Sequence, residues 1–203
     1  MRSAWLAGVS AGALSTRISF GSGPDTDFEE QVVVGSFGRR FGDVVSLRLG
    51  AGGIVGGRLV DHGMHHDLGA GWLVSATAAR EWLGTTAHGW FVSTAVVIGV
   101  SGAHTTNPYA GRASLVAQDN RLVVVAGKTV GGVFSPYATA RAFGGPVFWH
   151  RGGQDVVGGD AHHYGIGAGG SFTIRGFVDV VGEATLIGEK TFTLGVSFSF
   201  WDR

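Results

Sequence analysis

Along most of the chain, apolar residues alternate with small or polar ones at a period of two. The last segment is the clearest. In 191–200, Phe192, Leu194, Val196, Phe198 and Phe200 share one face, and Thr191, Thr193, Gly195, Ser197 and Ser199 share the other. Side chains alternate across a strand, so this run predicts a strand with one apolar face. The pattern returns in 162–174, where Tyr164, Ile166, Ala168, Phe172 and Ile174 oppose Gly165, Gly167, Gly169, Ser171 and Thr173. In 90–101, Trp90, Val92, Val96, Ile98 and Val100 oppose Ser93, Gly99 and Ser101. In 73–82, Val74, Ala76 and Trp82 oppose Ser75, Thr77 and Glu81, with Arg80 falling on the apolar side. The predicted strands are 4–20, 30–39, 44–59, 68–82, 88–102, 113–128, 135–149, 161–174, 177–187 and 191–201, separated by turn-like clusters. The longer connections fall at 21–29, 60–67, 103–112 and 150–160, with a tight turn at 188–190. The whole chain, 1–203, reads as one all-β domain.

A soluble sandwich also alternates, so residue types must separate it from a membrane barrel. In a soluble sheet the polar face is wet and rich in Lys, Glu and Asp. Here that face is mostly Gly, Ser and Thr with occasional single charges, which suits a narrow lumen that must be filled by small side chains. Large aromatics also gather near strand ends. Trp5, Trp72, Trp82, Trp90, Trp149 and Trp201 are therefore expected at the two membrane interfaces. The reading is an antiparallel up-and-down transmembrane β-barrel of about ten strands, with eight or twelve also compatible. Both termini are then expected on the periplasmic side. The stretch MRSAWLAGVSAGALSTR reads as the first strand rather than a leader, because Gly8, Ser10 and Gly12 interrupt its apolar run.

Composition narrows the function classes. There are 37 Gly but only 4 Pro and no triplet period, so collagen-like and proline-rich disordered chains are excluded. Fifteen basic residues balance 15 acidic ones, and no basic run interleaves with aromatics, so nucleic acid is not an expected partner. Cysteine is absent, which removes disulfides and thiolate metal sites. No cofactor is indicated.

The segments SPYATARAFGGPVFW (135–149), HHYGIGAGGSFTI (162–174) and VDVVGEATLIGEKTFTLGVSFSF (178–200) resemble the closing strands of bacterial outer-membrane β-barrels. The resemblance implies an outer-membrane location and the lipid bilayer as the main partner. It also implies that Phe192, Phe198 and Phe200 on the final strand serve as the signal read by the barrel-insertion machinery. Trp201, Asp202 and Arg203 depart from it, since such signals usually end on the aromatic.

The expected lumen-facing polar residues are Arg48, Glu81, Arg141, Asp179 and Glu183, which should pair or be hydrated inside the barrel. They predict a polar plug first and a narrow channel or solute transporter second. A ring of about ten strands is too narrow for an open porin, which takes about 16 to 18. Seven of the eight histidines fall at or beside the far connections. Among them, His62, His65 and His66 are the candidate metal ligands, although adjacent residues of an extended chain diverge. Asp25 and Asp27, with Asp160 and His162, resemble the Asp-x-Asp and Asp-x-His arrangement of omptin-type surface proteases. That resemblance implies a water-activating Asp160–His162 pair facing Asp25 and Asp27. The preferred reading is a structural or interaction-type barrel, and an enzyme is not.

Overall fold

A computed structural model describes residues 3–21, 25–42, 44–84, 89–109 and 111–201. The strands are β1 (Ala4–Ser19), β2 (Thr26–Phe41), β3 (Val45–Asp61), β4 (Met64–Leu68), β5 (Gly71–Gly84), β6 (Trp90–Asn107) and β7 (Gly111–Lys128). They continue as β8 (Phe134–Gly144), β9 (Pro146–Arg151), β10 (Gln154–Asp160), β11 (Tyr164–Ile174), β12 (Val178–Ile187) and β13 (Lys190–Trp201). All pairings are antiparallel, and β13 returns to β1 over a register from Ala4↔Trp201 to Ser15↔Lys190, so the sheet closes.

Two rings share this wall. Around the end that carries the termini, pairing runs β1, β2, β3, β5, β6, β7, β8, β11, β12, β13 and back to β1, a ring of ten. Around the far end it runs β1, β2, β3, β4, β6, β7, β9, β10 and back to β1, a ring of eight. The change comes from the β12–β13 hairpin, which stops short. Its turn at Gly188 takes φ +80°, and a Cβ there would lie 1.9 Å from the Tyr164 carbonyl oxygen, so only glycine fits. Above that turn, Ile18 and Ser19 of β1 pair with Asp160 and Gly159 of β10 instead.

Strand length explains the second ring. A tilted membrane strand needs about 9–11 residues. β12 and β13 have 10 and 12, whereas β1 and β2 have 16, β3 has 17, and β6 and β7 have 18. The surplus projects as an eight-stranded crown. The far segments expected as loops, 26–29, 64–67, 103–107 and 154–160, are therefore strands. They were legible as polar, yet they still alternate with the opposite sense.

That sense inverts along single strands. On β1 the outward residues Val9, Ala11 and Ala13 give way to Ser15 and Arg17, while the inward Gly8, Ser10 and Gly12 give way to Leu14 and Ile18. On β2 the outward Phe37 and Val33 give way to Gln31, Glu29 and Asp27, while the inward face ends on Phe28 and Thr26. The ten-stranded band is apolar outside and small or polar inside. The crown is polar outside and apolar inside, as in a water-soluble barrel.

Candidate functional site

The lumen is layered. Nearest the termini, Arg48, Tyr137 and Glu183 line a cavity of about 270 Å³ with Ser10, Ser36 and Ser197. Arg141 Nη2 donates to Glu183 Oε1 over the intervening strand β11, and Thr173 Oγ1 donates to Asp179 Oδ1 at 2.6 Å. Of the five expected lumen residues, Arg48, Arg141, Asp179 and Glu183 lie on inward positions of the band. Glu81 shares their face but is exposed near the terminal rim, where the β5–β6 register shifts.

Above this layer sits a charge cluster that the sequence reading missed. Arg121 Nε lies 2.5 Å from Asp119 Oδ2, and Nη1 lies 2.7 Å from Glu189 Oε1. Glu189 is 2% exposed although it occupies a hairpin turn. Its inward placement depends on the hairpin stopping beneath the crown, which no local pattern shows. Glu30 and Asp160 line the same cavity of about 310 Å³.

The crown is filled by Ile18, Phe28, Ile54, Leu59, Leu68, Ala103, Leu115, Val147 and Trp149. Trp149 is 1% exposed, and its indole N–H donates to Thr105 Oγ1 at 3.0 Å. This corrects the expectation that it marks a membrane interface: at its crown position, the inward face is the core. The other described tryptophans face outward. At the terminal rim, Arg39, Arg80 and Lys128 lie over Trp5, Trp82 and Trp90 at 5.0, 4.1 and 5.4 Å, and Trp72 lies higher on β5, against Gly102. The side chain of Trp201 lies outside the described residues. Phe192, Phe198 and Phe200 all project outward from β13.

A polar clasp covers the core. Asp61, 3% exposed, accepts from Thr26 Oγ1 at 3.2 Å, from His62 Nδ1 at 2.8 Å and from Arg151 Nη1. Burial pushes the Asp61 carboxyl up, but Arg151 and His62 more than offset it and hold it below the usual carboxylate range. Arg151 also stacks on Trp149, 4.4 Å from the ring centroid. The clasp thereby ties β3 to β9 across the mouth.

The two smaller hypotheses fare worse. His62 sits on the turn, His65 is exposed, and His66 is buried edge-on to Trp149 at 5.0 Å, so the three diverge. Among the described residues, no group of three or more His, Asp or Glu could hold a metal. Likewise Asp27 is exposed on the outer face, 3.3 Å from Arg17 Nε, whereas Asp160 faces the lumen. Ile18 pairs with both Thr26 and Asp160, which puts Asp27 and Asp160 on opposite sides of one wall. Asp25 and His162 are exposed and join neither. Residues 161–163 leave strand geometry between the end of β10 at Asp160 and the start of β11 at Tyr164, so Asp160 and His162 do not share one strand.

No protein-family model and no curated protein matches the sequence. The structure is similar to the translocator domain of the autotransporter NalP from Neisseria meningitidis, with a TM-score of 0.54 at 7% identity, covering 98% of this chain and 88% of that one. It is also similar to the transport unit of the autotransporter AIDA-I from Escherichia coli, with a TM-score of 0.51 at 10% identity, covering 98% and 90%. The fold is that of bacterial outer-membrane β-barrels.

Proposed function

We propose that the chain is a closed outer-membrane barrel of the structural or interaction type, with its termini in the periplasm and its crown outside the cell. The observation that carries this reading is the crown: nine buried apolar residues fill an eight-stranded ring under the Asp61–Arg151 clasp. Eight strands leave an interior just wide enough for side chains to fill. The outward band supports residence in lipid, with Val9, Val33, Leu49, Ile98, Leu194 and Val196 all exposed. Phe192, Phe198 and Phe200 would face the insertion machinery during assembly. The polar outer face of the crown, with Arg17–Asp27, Arg58–Glu29 and His150–Asp155 pairs, is the surface offered to partners outside.

Planar-bilayer recording of the detergent-folded protein tests the closed state. Silence is expected for the native chain, and stepwise current for a Leu59→Ala/Trp149→Ala variant that empties the crown. Native conductance that changes with Arg48 or Arg141 neutralised would replace this reading by a narrow channel. Cell fractionation should place the chain with outer-membrane markers.

A further inference from the structure

The mid-lumen cavity has a charge problem. Its wall holds Glu30, Asp119, Asp160 and Glu189 against Arg121, and Arg141 at its lower edge is already taken by Glu183. Arg121 engages Asp119 and Glu189, while the Glu30 and Asp160 carboxylates make no hydrogen bond or ion pair among the described residues. An excess of carboxylates in a low-dielectric lumen is costly unless some of them take up protons or a counter-charge enters, and an ammonium ion supplies both the charge and the hydrogen-bond donors they lack. A second observation points the same way. Thr16, 8% exposed, is on the inward face of β1 and lines this cavity, and its hydroxyl has no partner.

Shape and chemistry choose the class of cation. The cavity of about 310 Å³ is at the small end of ligand sites, which run roughly from 300 to 1,000 Å³. Leu14, Ile18, Phe28, Val32 and Leu115 form much of the rest of its wall. No acidic trio stands close enough to chelate a metal among the described residues. We infer that this cavity binds a small organic ammonium ion with a compact apolar body, its charge on the Glu30 and Asp160 carboxylates and its body against the apolar wall beneath the crown. The route in is from the terminal end, because the lower and middle cavities meet at Thr193 and the crown fills the other end. The inference goes beyond the closed-barrel reading, since it holds whether or not the barrel conducts.

Calorimetric titration of the detergent-folded protein with benzylamine, and separately with benzyl alcohol and with magnesium chloride, tests it. Benzylamine is expected to bind saturably, with benzyl alcohol at least tenfold weaker. Glu30→Gln/Asp160→Asn should weaken benzylamine at least tenfold, and Asp155→Asn on the outer face should leave it unchanged. Heat-dependent gel mobility checks that each variant is folded. Should the double variant fail to fold, Ala117→Leu fills the cavity while keeping every charge, and benzylamine binding should vanish. No saturable benzylamine binding, equal binding of the neutral alcohol, or carboxylate-dependent binding of magnesium in its place would each overturn the inference.

Discussion

The band and the crown are built from the same strands and solve opposite problems. In the band the solvent outside is lipid, so β13 turns Phe192, Leu194, Val196, Phe198 and Phe200 outward. Its lumen must then accommodate what lipid rejects, including the buried Arg121 cluster. In the crown the solvent outside is water, so Arg17, Asp27, Glu29 and Arg58 are outward and Leu59, Leu115 and Trp149 are inward. Ring size follows the same division. Ten strands leave room for the lower cavity and for the middle one, which ends against the crown residues Ile18, Phe28 and Leu115, whereas eight strands bring Leu59, Leu68 and Trp149 into one packed core. Burial alone does not decide what belongs inside a barrel; the medium outside and the ring diameter decide it together.

The largest expected effect comes from breaking the pair that anchors the short hairpin. Arg121→Ala leaves Asp119 and Glu189 without their cation, and removal of one member of a buried pair costs about 3–5 kcal/mol. Urea unfolding in detergent should report it, and the triple change Arg121→Met/Asp119→Asn/Glu189→Gln should recover most of the loss. A loss below about 1 kcal/mol for the single change would mean that the cluster is hydrated and anchors nothing.

Slightly smaller is Leu59→Ala, which empties part of the crown core and should cost about 2–5 kcal/mol. Hydrogen exchange should quicken at crown amides of β3, β4 and β9 while β12 and β13 keep their protection. Uniform loss of protection would show that the two rings unfold as one unit.

The inversion itself is tested on β1, with one lysine at each of two outward sites. Val9→Lys puts a charge in the lipid band and should cost about 2–4 kcal/mol. Ser15→Lys lies six residues on, where the outer face turns polar, and should stay within about 0.5 kcal/mol. Equal costs at both sites would place the band boundary elsewhere.

The smallest effect is acid sensitivity of the crown. His66 stands above the band, and burial pushes its imidazole below the ordinary value of 6.5, with Asp61 pulling the other way. Because the folded state holds this proton less tightly than the unfolded chain, crown stability is flat at neutral pH and falls as pH drops below about 6.5. Crown amide protection should therefore decrease from pH 7.5 to pH 5, and His66→Phe should flatten that slope.

These two regions differed in how readable they were. In the band, alternation, glycine-rich inward faces and outward aromatics all follow from local sequence, and so do Arg48, Arg141, Asp179 and Glu183 on inward positions. In the crown the same alternation was hidden by polar residues such as Asp27, Asp67 and His104, which read as loop because they face water. Trp149 misled for the same reason, since a tryptophan near a strand end looks the same whether it meets a membrane interface or a core.

The sequence by itself determined an all-β chain, the strand phase over most of its length and the lipid-facing band, because these depend on a two-residue period. Only the tertiary structure decided that two strands end early, that eight others close above them, and that Glu30, Asp119, Asp160 and Glu189 meet around Arg121. Those facts depend on register and closure between residues far apart in the chain, and a period of two carries no information about either.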